Sequence, residues 1–389
     1  MRVMMIAPAS SPHAVRPVEE LLKLGCEVVF MAAHDPFSEH AAGYSFLKSP
    51  SWRGKHTVKR ISRNLCKLLD YWFEVWPMKL AWKRLSIDIV HVSWVNEQAA
   101  RCAEEHIQPL VLTVWGSDIN DLFAPNVDEE YRSRIGKALA KADLILVDSS
   151  DMIDKCAELA GRSVNVKMQM VGIDTELFKP GYAEEARLWR NDLAIPGSSK
   201  VILSVRALAA HYGQREIITA YAQSLPRFTG STVLVINRFN GCSDMICSPY
   251  EMELRELVML LGIGDHIRWM NPVPVSRLPQ VYAAADVVVT FPSKDAFPVT
   301  FLEAAACEKP VISSLLPAYK ETFAAKYFTM VKKDSISDLS HAMVNHVNSG
   351  STSPSTFLEE ARRLIVSDYD KTRTSAQLMA RYKEVLLNP

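Results

Sequence analysis

The sequence carries no excess of either charge, since 44 Lys and Arg residues balance 44 Asp and Glu residues. Without a net positive charge, the chain has no overall field that would attract nucleic acid. Its seven cysteines are odd in number and widely scattered, and none forms a C-x-x-C pair. We therefore expect reduced thiols rather than disulfides or a zinc site. The sequence has no run of about 18 apolar residues and predicts no membrane span.

Two phosphate- and metal-binding signatures are also missing. No G-x-G-x-x-G follows the first apolar run, which disfavours a dinucleotide-dependent oxidoreductase. No D-x-D stands at the end of a predicted strand, so metal dependence is not implied. The opening residues MRVMMIAPAS are predicted to form a first strand rather than a signal peptide, because Pro8 interrupts their short apolar run.

What the chain does contain is a regular alternation of short apolar runs with helical segments. A length of 389 residues and a hydrophobic content of 48% suit two cores rather than one. Continuous apolar strands between helices are typical of parallel sheets covered on both faces. We therefore predict an α/β protein with two Rossmann-like, doubly wound domains of about six strands each. The two domains are expected to face each other across a cleft, where ligands bind at the carboxyl ends of the strands.

The predicted domain boundary falls in residues 174–199, which hold two Pro-Gly pairs at 180–181 and 196–197. Closely spaced prolines and glycines are typical of a linker. The last residues have an amphipathic helical pattern. The predicted parts are an N-terminal Rossmann-like domain over 1–175, a linker over 176–199, a C-terminal Rossmann-like domain over 200–368, and a C-terminal helix over 369–389 that packs on the N-terminal domain.

The most informative stretch is FPSKDAFPVTFLEAAACEKPVI, residues 291–312. It leaves an apolar run, places Asp295 in a turn and sets Glu303 about one turn into the next helix. Pro298 suits the first helical position, where a missing N–H costs nothing. The free N–H groups of this helix start form an anion site, and carboxylates accept hydrogen bonds from sugar hydroxyls. The alternative is that Asp295 caps the helix and that Glu303 is solvated.

This stretch resembles the hallmark of the retaining glycosyltransferases of family 4, which have the two-domain GT-B fold. The hallmark is a Glu, seven residues, and a second Glu followed by a small-residue helix and a Pro-Val-Ile strand. Asp295 stands at the first acid, and Glu303 and residues 310–312 match the remainder. The resemblance implies that Asp295 contacts the donor sugar and that Glu303 holds the nucleotide ribose. The implied donor-binding residues of this stretch are Asp295, Phe297, Pro298, Val299, Thr300 and Glu303.

Further segments extend the resemblance over nearly the whole chain, namely MVGIDTELFKP (170–180), VILSVRALAAHYG (201–213) and SRLPQVYAAADVVVTFPS (276–293). Arg206 matches the family's first base for the donor diphosphate, where a guanidinium can clamp two oxygens. The family's second base, a Lys, is absent; His211 or Tyr212 occupies its neighbourhood, and Tyr212 is included among the donor-binding residues. Arg238 follows an apolar run and is predicted either to contact the phosphates or to form a salt bridge.

In the first domain, PASSPHAV (8–15) takes the place of the family's Gly-rich loop. Ser11 and His13 can donate hydrogen bonds to a substrate there, although a serine at this place can instead cap a helix. His91 ends an apolar run and is predicted either to face the cleft or to be a buried structural histidine.

A second segment of the first domain, TVWGSDI (113–119), follows an apolar run. Asp118 matches a Gly-Ser/Thr-Asp form seen in part of the family and is the leading site residue of this domain, with Ser117 beside it. Trp115 stands where many relatives have a His that touches the reacting sugar.

Residues 52–84 form a local basic block, with nine Lys and Arg against two acidic residues, interleaved with tryptophans. An amphipathic, cationic and aromatic pattern is typical of a helix lying on an anionic membrane surface. The alternative is a core-packed helix with a solvated basic face.

Together these residues imply a retaining glycosyltransferase that moves a sugar from a UDP- or GDP-sugar to a glycan or lipid-linked acceptor, in cell-envelope polysaccharide or glycolipid synthesis. Catalysis is expected to depend on Arg206, Asp118 and Asp295, with no cofactor and no metal. The expected location is the cytoplasm, with a peripheral site on the inner face of the membrane. Two alternatives are a sugar-nucleotide-binding protein that has lost transfer and another GT-B enzyme such as an epimerase.

Overall fold

The computed structural model of the chain describes residues 1–8, 12–32, 45–48, 76–239, 248–349 and 355–387. The chain divides into two compact units. The first comprises Met1–Gly172 together with Lys371–Pro389, and the second comprises Ile173–Asp370. Each unit has a parallel β-sheet of its own, and helices connect the strands.

The first unit contains seven described strands in the order β3-β2-β1-β4-β5-β6-β7. They are β1 (Arg2–Ala7), β2 (Glu27–Ala32), β3 (Ser45–Lys48), β4 (Ile89–Ser93), β5 (Leu110–Thr113), β6 (Leu144–Val147) and β7 (Val166–Met168). Its described helices are α1 (Pro12–Lys23), α2 (Trp76–Arg84), α3 (Glu97–Glu104), α4 (Ser117–Asn120), α5 (Glu129–Lys141), α6 (Ser150–Ala160) and the C-terminal α15 (Lys371–Leu387).

The edge strand β3 is a seventh strand, which the apolar runs of the sequence do not indicate. It pairs in parallel with β2, and Val29 lies opposite Ser45. A four-residue strand is too short to give a clear periodic pattern, which explains why the sequence did not indicate it.

The second unit contains six described strands in the order β10-β9-β8-β11-β12-β13. They are β8 (Lys200–Ser204), β9 (Thr232–Asn237), β10 (Ile267–Met270), β11 (Val287–Thr290), β12 (Val311–Ser314) and β13 (Thr329–Val331). Its described helices are α7 (Ala183–Asp192), α8 (Gln214–Ser224), α9 (Pro249–Leu260), α10 (Leu278–Ala284), α11 (Val299–Ala306), α12 (Phe323–Tyr327), α13 (Ile336–Asn348) and α14 (Ser355–Asp368).

Residues 176–199 are not a linker but part of the second unit. Phe178 and Trp189 are buried, and the Phe178 ring packs edge-on against Tyr282 with 6.2 Å between the centroids. The prolines and glycines of this stretch therefore mark turns around α7. The units separate at Gly172, where a Cβ would lie 2.6 Å from the Cα of Lys371, so that only glycine fits.

The C-terminal helix α15 completes the core of the first unit. Leu378, Tyr382 and Val385 lie in one apolar cluster with residues of α1, β1 and β2. The Tyr382 hydroxyl lies 2.5 Å from Nδ1 of His91, and Nε2 of His91 lies 2.6 Å from Oγ1 of Thr113. Burial lowers the pKa of His91 to about 3. His91 is thus the buried structural histidine that the sequence left as an alternative.

The buried His91 predicts a pH dependence of stability. It takes up a proton near pH 6.5 in the unfolded chain but only near pH 3 in the folded protein. The unfolded state therefore binds more protons, and the free energy of unfolding decreases as the pH falls from 6.5 towards 3. Between pH 7 and pH 5, we expect the free energy of unfolding of the wild type to fall by about 2 kcal/mol more than that of His91→Asn. Denaturant unfolding at both pH values measures the difference.

His346 of the second unit also has a pKa lowered by burial, to about 4, but it is present in both proteins and cancels in the comparison. An equal loss of stability in the wild type and in His91→Asn would contradict the assignment.

Candidate functional site

The candidate residues of the second unit follow two neighbouring strands. In its sheet β8 lies between β9 and β11, so the chain winds outward in opposite directions on the two sides of the β8–β11 pair. The carboxyl ends of strands at such a switch point are where open α/β sheets bind ligands. Arg206 comes shortly after β8 and Asp295 comes shortly after β11, which places both at this point.

Arg206 and Asp295 form an ion pair. Nη2 of Arg206 lies 3.1 Å from Oδ2 of Asp295, and the two side chains are only 11% and 12% exposed. Burial opposes the positive charge, but Asp295 and the nearby tyrosines hold the pKa of Arg206 above its ordinary value. A guanidinium therefore remains charged at the switch point in a largely dry environment.

Tyr212 provides a second support for this guanidinium. Its ring centroid lies 3.9 Å from Cζ of Arg206, a cation–π contact. The carbonyl of the adjacent His211 accepts a hydrogen bond of 2.9 Å from the N–H of Ser293, which ties this turn to the turn after β11. At the place where the family has a second base, the structure therefore has a neutral ring that orients Arg206.

Glu303 is buried rather than solvated, so that alternative is wrong. It is 7% exposed on α11, and its Oε2 accepts a hydrogen bond of 2.9 Å from the hydroxyl of Tyr282 on α10. Burial, together with the neighbouring Glu303, raises the pKa of Tyr282 well above its ordinary value, so the phenol remains a donor. The carboxylate is thereby held in one orientation.

Sequence reasoning missed two tyrosines, each of which holds one of the two acids. Tyr282 bonds Glu303, and the hydroxyl of Tyr319 donates to Oδ2 of Asp295 at 2.9 Å. Both rings are fully buried. A buried tyrosine needs a hydrogen-bond partner for its hydroxyl. A tyrosine within an apolar segment of the sequence therefore predicts that a polar group lies beside it in the fold.

The start of α11 is built from buried residues. The N-cap residue of the helix is Pro298, with extended backbone and no side-chain hydrogen bond, and not Asp295. The Phe297 ring packs edge-on against Phe301 and Phe323, each at 5.7 Å. Thr300 is buried in the first turn. These contacts fix the helix end, at which the N–H groups of the first turn point outward from the helix.

Arg238 forms the salt bridge that the sequence left as an alternative. Its Nε lies 2.8 Å from Oε1 of Glu251, and its Nη1 donates to Asn271 at 2.7 Å. Although burial acts against it, the pKa of Glu251 is lowered by Arg238 and Arg255. Arg238 therefore neutralises a buried carboxylate.

In the first unit, the carboxylate of Asp118 binds backbone. Its Oδ2 accepts from the N–H of Val95 at 2.8 Å, and its Oδ1 accepts from Trp115 at 3.1 Å and from Gly116 at 2.8 Å. Burial raises the pKa of Asp118 to about 7, against the effect of these N–H groups. Asp118 thus joins the turns after β4 and β5, and a catalytic role for it stays a prediction. The neighbouring Ser117 is exposed at the start of α4.

Several predicted residues fall outside the described part of the chain. Ser11 is one of them, and His13 lies in α1 with a side chain that is not described. Of the basic segment 52–84, only α2 is described. Among the helices of the described residues, none has the length and hydrophobicity that a membrane span requires. Within the same residues, no cluster of three His, Cys, Asp or Glu side chains is arranged to hold a metal ion.

A small cavity of about 30 Å³ lies in the first unit at the carboxyl ends of β4 and β5. Its lining includes Arg16, His91, Ser93, Thr113, Gln169 and Lys371. Apolar side chains also line it, among them Met5, Leu146 and Leu378.

Two family descriptions match the chain. Residues 2–149 match "Glycosyl transferase 4-like", and residues 185–363 match "Glycosyl transferases group 1". The chain belongs to the family 4-type glycosyltransferases. This confirms the resemblance carried by Asp295 and Glu303.

Comparison with solved structures confirms the GT-B fold. Sucrose-phosphate synthase from Thermosynechococcus elongatus superposes with a TM-score of 0.78 at 16% identity, over 100% of both chains. HepE from Anabaena, solved in complex with UDP, superposes with a TM-score of 0.75 at 16% identity, over 99% of this glycosyltransferase and 100% of that chain.

Among curated relatives, a D-inositol 3-phosphate glycosyltransferase of Corynebacterium glutamicum is 26% identical over 241 residues, which are 60% of this chain and 57% of that protein. The chain therefore spans little more than half the length of that relative.

The bond between Tyr282 and Glu303 yields a stability prediction. Tyr282→Phe removes the donor from a buried carboxylate, so we expect the free energy of unfolding to fall by about 1–3 kcal/mol. As a matched control, Tyr327→Phe removes a hydroxyl 3.4 Å from Glu360, a carboxylate that is 41% exposed. Its cost should stay below about 0.5 kcal/mol. Equal free energies of unfolding for the two variants in denaturant would show that the bond between Tyr282 and Glu303 does not stabilise the fold.

Proposed function

We propose that this glycosyltransferase moves a sugar from a nucleotide-diphosphate donor, a UDP- or GDP-sugar, to a glycan or lipid-linked acceptor with retention of configuration. The observation that carries the proposal is the buried Arg206–Asp295 pair at the switch point, in the same motif as Glu303. Together with Glu303, the pair supplies one cation for a diphosphate and two oriented carboxylates for hydroxyl groups. The UDP complex of the similarly folded HepE supports this class of donor.

In the proposed reaction, the bond between the sugar C1 and the donor phosphate oxygen breaks as the acceptor oxygen bonds to C1 on the same face. The acceptor proton passes to the departing phosphate oxygen, so a glycoside and a nucleoside diphosphate are formed. Arg206 stabilises the negative charge that develops on the diphosphate, and the N–H groups at the start of α11 act in the same sense. This route requires no enzyme nucleophile, and catalysis depends on positioning and electrostatics.

The two carboxylates have different tasks in this proposal. Asp295 exchanges part of its bond with Arg206 for hydroxyls of the donor sugar. Glu303 is held through Oε2 by Tyr282, and a carboxylate has about four acceptor positions. It therefore has the capacity to accept the hydroxyls of the nucleotide ribose as well.

The role of Arg206 predicts a large rate effect. Removing a charged donor to the leaving group costs on the order of 2–4 kcal/mol of transition-state stabilisation. Arg206→Ala should therefore slow turnover at saturating donor by roughly 30- to 1000-fold. Arg215→Ala is the matched control, because Arg215 lies in the same unit and forms an exposed ion pair with Glu253. A change below about threefold in Arg206→Ala would refute the assigned role.

A binding experiment separates the proposal from the two alternatives. Titration calorimetry with UDP- and GDP-sugars on the wild type and Glu303→Gln tests donor recognition apart from chemistry, and Glu303→Gln should weaken binding. Donor binding without transfer or hydrolysis indicates a binding protein that has lost transfer. Conversion of the nucleotide-sugar into an isomer indicates an epimerase. Release of nucleoside diphosphate supports the transferase.

We further propose that residues 52–84 place the enzyme on an anionic membrane surface, in the synthesis of cell-envelope polysaccharide or glycolipid. The support is the seven-charge excess of this segment and its tryptophans. Within α2, Lys79 lies 2.5 Å from Glu105, so at least one of these cations also has a partner in the fold.

The membrane proposal predicts salt-sensitive binding to vesicles. Each basic residue near an anionic surface contributes about 1 kcal/mol, and added salt screens the attraction. The wild type should co-sediment with anionic liposomes at low salt and dissociate at high salt. The quadruple variant with Gln at Lys59, Arg60, Arg63 and Lys67 should remain in solution and retain donor hydrolysis. Absence of wild-type binding at low salt would end the membrane proposal.

A further inference from the structure

Two tryptophans lie side by side at the carboxyl edge of the first sheet. β4 and β5 are neighbouring parallel strands, and Ser93 lies opposite Thr113 at their ends. Trp94 follows β4 directly, and its N–H donates to the carbonyl of Thr113 at 2.9 Å. Trp115 follows two residues after Thr113. The two indole rings are parallel within 8° and their centroids are 6.2 Å apart, which is an offset stack.

The backbone of Trp94 is in a conformation that a bulky side chain rarely adopts. Its φ is 76°, in the left-handed region that glycine and asparagine occupy more easily. On an extended strand, Trp94 and Ser93 would point to opposite faces of the sheet. The left-handed turn changes this direction and brings the ring of Trp94 parallel to that of Trp115.

Asp118 holds the strained turn in place. Its carboxylate accepts the N–H of Val95, directly after Trp94, and the N–H groups of Trp115 and Gly116. A single side chain thereby fixes the two turns that carry the two rings. Strained residues that the surrounding structure holds in place occur preferentially at ligand sites.

The chemistry of the pair suits a neutral sugar ring. Both tryptophans are partly buried, and Trp115 also packs against the apolar cluster of the first unit. The faces of indole rings carry the negative side of the aromatic quadrupole. The C–H groups on one face of a pyranose carry partial positive charge and are attracted to such a surface, while its hydroxyls remain available to polar groups. Ser117, exposed two residues beyond Trp115, is one such group.

The charges near the pair disfavour a phosphorylated ligand. Burial raises the pKa of Tyr131, and the carboxylates of Glu97 and Asp118 raise it further, so both acids lie close enough to act on this phenol. Arg101 and Arg134 pair with Glu97 at 3.1 Å and 2.8 Å. A phosphate would therefore meet carboxylates beside cations that already have partners. A neutral glycan is not subject to this repulsion.

Resting on the proposed transferase function, we propose that Trp94 and Trp115 form a stacking subsite for a neutral pyranose ring of the acceptor glycan. The subsite selects a glycan acceptor over a compact phosphorylated polyol. It lies in the first unit and uses none of the donor-binding residues of the second.

The decisive variant is Trp94→Asn, which removes the ring and suits the left-handed backbone. We expect it to melt no lower than the wild type. Saturation-transfer NMR and calorimetry with methyl glucoside, maltose and cellobiose should show millimolar binding to the wild type. Binding should be about tenfold weaker in Trp94→Asn. Trp94→Phe retains an aromatic face and should retain most of the affinity. Trp82→Phe, a partly buried tryptophan on α2, should be unchanged.

Inositol 3-phosphate serves as the second ligand. The proposal is overturned if the neutral sugars fail to bind the wild type, if they bind Trp94→Asn equally well, or if inositol 3-phosphate is the ligand that Trp94→Asn loses. Hydrolysis of UDP- or GDP-sugar by Trp94→Asn should equal that of the wild type. If donor hydrolysis is absent in all proteins, the proposed function fails, whereas sugar binding still reports on the tryptophan pair.

Discussion

The ion pair between Arg206 and Asp295 is the interaction on which the candidate site of the second unit depends. Two charges that are nearly excluded from water must be paired, because an isolated buried charge is far too costly. The pair joins the turn after β8 to the turn after β11. Tyr212 then packs under the guanidinium, and Tyr319 donates to the carboxylate, so both charged groups have a fixed direction. A site arranged in this way has little left to reorganise when a charged ligand arrives.

The same reasoning explains why tyrosines rather than further ionic groups hold the acids. A neutral hydroxyl satisfies one oxygen of Glu303 without cancelling its charge. A lysine or arginine in the place of Tyr282 would neutralise the carboxylate and reduce its attraction for hydroxyl groups. The rings of Tyr282 and Tyr319 are fully buried and fill part of the core. The orientation of the two acids therefore depends on the packing of the unit.

The limits of the sequence prediction follow from the same contacts. Apolar runs and turn signals are local, so the parallel sheets and the positions of Asp295 and Glu303 could be predicted. Hydrogen-bond partners are not local: Tyr282 and Glu303 are 21 residues apart, and His91 and Tyr382 are 291 apart. The stretch 176–199 was assigned as a linker because its prolines and glycines mark turns. Whether a turn lies between two units or within one depends on burial, here that of Phe178 and Trp189.

The first unit uses a carboxylate in a different way. Asp118 has no cation among the three groups that it is seen to bind; it accepts backbone N–H groups from the turns after β4 and β5. The geometry of these turns therefore depends on the side chain of Asp118 and on the glycine at 116, whose φ is 104°. The strain at Trp94 persists because these bonds leave the turn no relaxed alternative. An asparagine adopts this left-handed backbone with less strain than a tryptophan, so the ring of Trp94 is held beside that of Trp115 at a cost in backbone energy.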